Sequence, residues 1–327
     1  MAATAPTAAW IDELGTRMAR KFAADGVGGA LGELTSLPGG HSGLTYQARA
    51  GEQALVVKVV PPGRRPVGRH DVVRQARILA VLRDTGVPVP RLFAVDQTEP
   101  AWFAMALVPG EAVEPVLDGV ELAAGLARRR AVAAARTLTR LHAVEPPAEP
   151  ATTLPDEIAK WDRVLHAGSP EFVEPVAALG AALSRRVPEP EPAGIVHGDY
   201  RLGNILFERE RPRAIVDWEI WGVGDPRVDL GYFGVFADAG NFPEIGTAVP
   251  GLPAADELVH TYAEARGAAV TDAAWFAALG RFRMAAIMAH NLRRHREGRH
   301  VDEAQETLPA TIHRLADTGL RVLGRGA

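Results

Sequence analysis

His197-Gly198-Asp199-Tyr200-Arg201-Leu202-Gly203-Asn204-Ile205-Leu206-Phe207, a polar turn, and then Ile215-Val216-Asp217-Trp218-Glu219 is the stretch whose reading decides the rest of the chain. Apolar runs on either side of a polar turn predict two strands, with residues 205–207 pairing antiparallel to 214–216 across 208–213. In that register Asn204 and Asp217 face each other at the open end of the hairpin. Two protein oxygens fixed on backbone suit a hard cation such as magnesium, which keeps its other positions for phosphate oxygens and water. Asp199 lies in the loop entering the same hairpin, placed to accept a proton from an alcohol attacking a metal-bound phosphate. Taken singly, each of the three is an ordinary polar residue of a turn or strand end, so the reading rests on their coming together.

Working outward, the N-terminal side reads as a small sheet. Residues 44–48 alternate, 50–53 form a turn, and 54–60 are rich in valine. A helix is predicted over 71–83, where Val72, Ala76, Leu79 and Leu82 recur at helical spacing before Gly86 and Pro88. Two more strands are expected at 91–96 and 102–107, and Pro109-Gly110 then breaks the pattern. Past that point the chain turns helical, with an alanine-rich helix over 120–142 and others near Trp161, Ala177, Asp256, Asp272 and Glu303. The expected organisation is a nucleotide-binding lobe of residues 1–108 and a catalytic and acceptor-binding lobe of 109–327.

Lys58 stands out within the valine-rich strand, being one of three lysines in the chain with Lys21 and Lys160. A charge there is costly unless it reaches an anion or the sheet surface, and the two readings, phosphate ligand and solvated edge position, are evenly matched by alternation alone. The glycines of 39–43 suit a close approach of backbone to phosphate, although a plain hairpin turn explains them equally; Gly40, Ser42 and Gly43 are the candidates, Ser42 by its side chain.

With 47% hydrophobic and 23% charged residues among 327, the composition is that of a globular protein. A formal net charge of −4 gives no global field for nucleic acid, and no apolar run is long enough for a membrane helix. There is no cysteine, which removes disulfides and thiolate chemistry and fits a reducing cytoplasm, the expected location. No histidine pair has helical zinc spacing, no Gly-x-Ser-x-Gly elbow appears, and no dinucleotide fingerprint opens a βαβ unit.

These motifs together resemble the aminoglycoside phosphotransferase and choline kinase-like enzymes: the string Gly39-Gly40-His41-Ser42-Gly43-Leu44-Thr45-Tyr46, Lys58, the His-Gly-Asp stretch, Val216-Asp217-Trp218-Glu219, Gly224-Asp225-Pro226 and Asp229-Leu230. The last two motifs are similar to the subgroup of kinase domains attached to acyl-CoA dehydrogenases. The resemblance implies an α+β, protein-kinase-like two-lobed fold and transfer of the ATP γ-phosphate, with GTP left open, to the hydroxyl of a small molecule in the presence of Mg2+. It implies Asp199 as catalytic base, Asn204 and Asp217 as magnesium ligands and Lys58 on the nucleotide phosphates. Arg201 would contact the transferring group or face solvent. Ala106 and Val108 would offer a carbonyl and an amide to adenine, and Asp229 would anchor the catalytic loop.

One departure concerns Gln75, which stands where kinases place the glutamate that pairs with the phosphate lysine. It keeps open a nucleotide-binding pseudokinase, beside the further alternative of an aminoglycoside-type antibiotic kinase. The mixed charge of the C-terminal helices argues mildly against a polycationic acceptor. A hydroxy acid or hydroxyacyl thioester is preferred, and the basic segment of Arg293, Arg294, His295, Arg296, Arg299 and His300 is read either as a cation-rich helix end or as a site for an acidic group. Oligomeric state is not legible in the sequence.

Overall fold

A helix, α1 (Ala8–Asp25), precedes the sheet that the sequence led one to expect first. Thr7 caps it by accepting from the Trp10 N–H, and Gly26, at φ 71°, ends it in the left-handed region. In the computed structural model, residues 6–37 and 44–325 are described, apart from the side chain of Arg69. The chain divides into two units, residues 1–110 with 213–220 and residues 111–212 with 221–327.

In the first unit α1 is followed by β1 (Thr35–Ser36), β2 (Leu44–Ala50), β3 (Gln53–Val59), α2 (Val72–Leu82), β4 (Leu92–Asp96) and β5 (Trp102–Ala106). The strands form one antiparallel sheet in the order β1-β2-β3-β5-β4. Alternation along β3 sends Leu55, Val57 and Val59 to one face, where Leu14, Met18 and Phe22 of α1 complete a core with Tyr46 and Trp102. Phe22 meets the Trp102 ring edge-on at 5.8 Å, and Arg17 pairs with Asp96 at 2.7 Å. Lys58 therefore takes the opposite face, on a strand flanked on both sides by Thr45 of β2 and Phe103 of β5. The edge-position reading of Lys58 is thereby removed.

The second unit runs α3 (Leu126–His142), β6 (Ala151–Thr152), α4 (Leu154–His166), α5 (Val173–Arg185), β7 (Gly194–Val196) and β8 (Ile205–Glu208). The chain continues through β9 (Arg211–Ile215), β10 (Gly222–Gly224), α6 (Arg227–Phe233), α7 (Ala255–Arg266), α8 (Ala273–Arg296) and α9 (Pro309–Arg325). β6, β10 and β7 form a small sheet in that order. The alanine-rich helix begins at Leu126 instead of residue 120, because Gly119 and Gly125 both adopt positive φ. The hairpin turn is tighter than expected: only Arg209 and Glu210 separate β8 from β9, with Arg209 in the left-handed region at φ 56°.

Helix α8 is buried on most sides over its first five turns and forms the axis of the second core, meeting α4, α5, α6 and α9. Its contact with α6 is unusually close. A Cβ on Gly280 would lie 2.6 Å from the Gly231 carbonyl oxygen, so no larger residue fits either position without moving the helices. The architecture agrees with the expected α+β arrangement, an antiparallel sheet followed by a mainly helical part.

Candidate active site

The predicted residues fall into two groups, one in each unit. In the first, Lys58, Gln75 and Asp217 line one small pocket with Leu79, Phe103, Met105 and Trp218. The Lys58 ammonium lies 3.2 Å from Oδ1 of Asp217 and 3.3 Å from Oε1 of Glu219. Gln75 is buried on the inward side of α2. The glutamate absent from α2 is thus matched by carboxylates from residues 217 and 219, which give the ammonium the negative partners a glutamine cannot supply. Asp217 has φ 66°, a left-handed conformation that an aspartate tolerates at some cost and that tends to occur where a side chain must be aimed. Its side chain is 42% exposed, so the carboxylate is open to a ligand from solvent. Ala106 closes β5, its N–H donating to Arg91 O at 2.8 Å, and Val108 follows two residues later. Gly40, Ser42 and Gly43 lie outside the described residues.

The second group surrounds Asp199. Asn204 donates through Nδ2 to the Asp199 carbonyl at 2.8 Å and to its Oδ2 at 2.7 Å, which leaves the Asn204 carbonyl oxygen as the atom suited to a hard cation. Arg201 places Nε 3.6 Å from Asp199 Oδ2 and Nη1 3.8 Å from Glu114 Oε2, with its guanidinium over the Phe236 ring. A Cβ at Gly203 would displace the Arg201 guanidinium from its present position. Burial works against the charge of Arg201, but Asp199 and Glu114 more than offset it.

The loop is held from beneath by Asp229, whose carboxylate is fully buried and accepts from the His197 N–H at 2.6 Å and the Gly198 N–H at 2.9 Å. Burial favours the neutral acid at Asp229, yet the His142 hydrogen bond, the nearby histidine charges and the Gly198 N–H hold its carboxyl below the ordinary range. His142 is fixed in turn by the Tyr262 hydroxyl at 2.8 Å. The Asp199 N–H donates to His197 Nδ1, and Tyr200 is anchored by its hydroxyl to the Ala134 carbonyl. Asp225 plays a different part: it forms a bidentate pair with Arg227, both residues buried, at 3.0 and 2.7 Å.

Sequence reasoning missed Glu114 and Tyr232. Glu114 is 1% exposed and accepts from the Gly203 N–H at 3.2 Å. Burial pushes its carboxyl up to about 7, against the lowering effect of the Arg201 charge. Tyr232 is buried on α6 with its ring under the Arg283 guanidinium at 3.9 Å, and burial, together with the Asp199 charge, raises its pKa. The only available signal was a glutamate just after the Pro-Gly break and a tyrosine three residues after Asp229. The basic segment at the end of α8 is an exposed ion-pair network: Arg293 and Arg299 meet Glu297 at 2.8 and 3.2 Å, and Arg296 meets Glu306 at 2.7 Å. That arrangement supports the helix-end reading.

No helix among the described residues is long and apolar enough to cross a membrane. A profile described as the phosphotransferase enzyme family matches residues 33–279. Acyl-CoA dehydrogenase family member 11 of Pongo abelii is 27% identical over 312 residues, which cover 88% of this chain and 39% of that protein. The chain therefore spans about two fifths of that relative's length. Among solved structures, a candidate aminoglycoside phosphotransferase of Ralstonia eutropha superposes with a TM-score of 0.79 at 22% identity, over 96% of this chain and 98% of that one. A spectinomycin phosphotransferase in complex with ADP and spectinomycin gives 0.63 at 11% identity, again over 96% and 98%. At such identities the likeness is one of fold.

Proposed function

The chain belongs to the phosphotransferase enzyme family, and from that premise we propose that it moves the γ-phosphate of ATP to a hydroxyl of a small molecule, with Asp199 as the base. The observation that supports this most directly is the Asp199 carboxylate, held by Asn204 and approached by Arg201 while its side chain stays partly exposed. A carboxylate fixed in this way accepts the hydrogen bond of an incoming alcohol in one orientation, and positioning of that kind is most of what phosphoryl transfer asks of a protein. As the alcohol oxygen bonds to the γ-phosphorus, its proton passes to Asp199 and the bond to the β–γ bridging oxygen breaks, releasing ADP.

Lys58 holds the nucleotide phosphates in this reading, exchanging part of its pairing with Asp217 and Glu219 for phosphate oxygen. Asn204 Oδ1 and the Asp217 carboxylate are hard oxygen donors that fit magnesium, which when bound neutralises charge on the phosphate oxygens. Arg201, backed by Glu114, steadies the transferring group. Adenine is received by the backbone of Ala106 and Val108, and Gly40, Ser42 and Gly43 cover the phosphates. The preferred acceptor is a hydroxy acid or its thioester, in keeping with the acyl-CoA dehydrogenase relatives.

The deciding experiment pairs calorimetry of Mg-ATP binding with a screen for ADP release across hydroxy acids, amino alcohols, nucleosides and aminoglycosides, GTP being run beside ATP. Asp199→Ala should lose turnover by about a thousandfold and keep its nucleotide affinity. Equal turnover in that variant removes Asp199 from the mechanism. Because Gln75 occupies the helix position that is acidic in kinases, the same screen tests a second reading: binding without ADP release on any acceptor marks a non-catalytic nucleotide binder.

A further inference from the structure

Arg201 carries its charge beside two carboxylates, yet it donates no hydrogen bond to any described residue: Nε stands 3.6 Å from Asp199 Oδ2 and Nη1 3.8 Å from Glu114 Oε2, both beyond hydrogen-bond length. Its side chain is 29% exposed, so the guanidinium is neither fully buried nor tied. Attraction between unlike charges at such lengths is poorly directional, and it does not by itself choose the plane of the guanidinium fork. A ring face does, because the planar cation lies over the negative face of an aromatic ring in a restricted range of positions. That ring is Phe236, whose centroid is 5.8 Å from Arg201 Cζ.

Phe236 is built into the second unit from several sides. It is 4% exposed, Tyr232 meets it edge-on at 5.3 Å, and Phe242 stacks against it at 5.9 Å with 25° between the ring planes. The turns of residues 234–241, which follow α6 and lead to Phe242, are pinned to α8 by a buried clamp. Asn241 donates through Nδ2 to the Val235 carbonyl at 2.9 Å, and its Oδ1 accepts from Arg281 Nε at 3.3 Å. Arg281 in turn donates through Nη1 to the Ala277 carbonyl at 2.9 Å, one turn back on its own helix. With both ends of its amide engaged, Asn241 fixes the backbone beside Phe236.

We propose that Phe236 is a positioning residue for phosphoryl transfer, setting the plane of the Arg201 guanidinium so that its unengaged N–H groups face the transferring group. The inference rests on the reading of Arg201 as the residue that steadies that group, and it adds what aims it. Phe236 acts only through Arg201, and no contact with nucleotide or acceptor is assigned to it.

The test is a double-mutant cycle on the full chain with Phe236→Leu, Arg201→Met and the pair, read by ADP release from Mg-ATP with water, glycerol and lactate as acceptors. Calorimetry of Mg-ATP, and of Mg-ADP with and without aluminium fluoride, separates the grip on the nucleotide from the grip on a group in transfer. Arg201→Met should lower kcat about 100-fold and Phe236→Leu about 3- to 30-fold, with the ATP Kd within about twofold in both. Phe236→Leu should weaken Mg-ADP binding in aluminium fluoride by a similar factor and leave Mg-ADP alone unchanged. In the pair, the second substitution should add less than about twofold to the loss in Arg201→Met. Phe236→Tyr keeps the ring face and should recover most of the loss, and Phe236→Met takes the place of the leucine variant if that one fails to fold. Losses that multiply in the pair, or Phe236→Leu losing ATP affinity along with rate, mark a ring that only fills space and overturn the inference. Unchanged turnover in Phe236→Leu beside a slow Arg201→Met sinks the inference alone. Unchanged turnover in Arg201→Met, or no ADP release by the unmutated protein across the acceptor screen with Mg-ATP still bound, sinks the reading of the site and this inference together.

Discussion

The Asp199 carboxylate sits in a loop whose N–H groups are tied to the buried Asp229 of α6 and whose Asn204 donates to it, whereas the Lys58 ammonium is paired with the carboxylates of Asp217 and Glu219. The first arrangement is fixed before any ligand arrives, through Asp229 beneath the loop and the Tyr200 hydroxyl bonded to the Ala134 carbonyl of α3. The second is a set of charges that satisfy one another and can trade partners when phosphate appears. On the proposed reading, the difference separates what must be rigid, the aim of Asp199, from what must be exchangeable, the grip of Lys58 on the nucleotide.

The sharpest way to break that contrast is Asp229→Ala. It strands two buried N–H groups and frees the loop, so kcat should fall about a thousandfold and stability by about 3 kcal/mol, read by turnover and chemical denaturation. Lys58→Met should act on the other side, weakening Mg-ATP by about 10- to 100-fold in calorimetry while leaving the melting temperature nearly unchanged or raised, because the pairing it removes is partly exposed.

Glu114→Gln should have a smaller effect confined to pH. The folded carboxyl titrates near 7 and the unfolded one near 4.5, so the folded state binds the extra proton between those values. The stability of the unmutated protein should therefore fall as pH rises through that window and level off above it, and thermal melts of Glu114→Gln should lack this slope. The smallest effect belongs to Arg296→Ala, which removes exposed pairs with Glu171 and Glu306 and should leave both turnover and stability almost untouched. A large loss of acceptor affinity in that variant would return the basic segment to the active site.

Much of the architecture was legible because it is written in local periodicity. The valine-rich β3, the amphipathic α2 and the apolar strands flanking the 209–210 turn each carry their pattern within a few residues. The α1 helix was missed because its apolar stripe of Leu14, Met18 and Phe22 is diluted by alanines and charges, and its meaning lies in the sheet it covers. β6, β7 and β10 are two or three residues long, too short for any period, and exist only as partners of one another. Asp199, Asn204 and Asp217 could be singled out because they sit beside a recognisable hairpin. Glu114 could not, because its contact with Gly203 comes from a distant chain segment folding onto the loop. The buried arginines of α8 did leave a trace: Gly280-Arg281-Phe282-Arg283-Met284 puts two charges into the buried middle of that helix.

The glycine crossing of α6 and α8 ties several of these parts to one another. Asp229, the brace beneath the loop of Asp199, lies two residues before Gly231 on α6, so the backbone contact with Gly280 of α8 sets where that brace stands. With the helices pressed together at this depth, neither can slide past the other. Any variation in the loop's geometry is therefore left to side-chain exchange at a few positions, and a redesign that leaves the two glycines alone keeps the loop's footing unchanged.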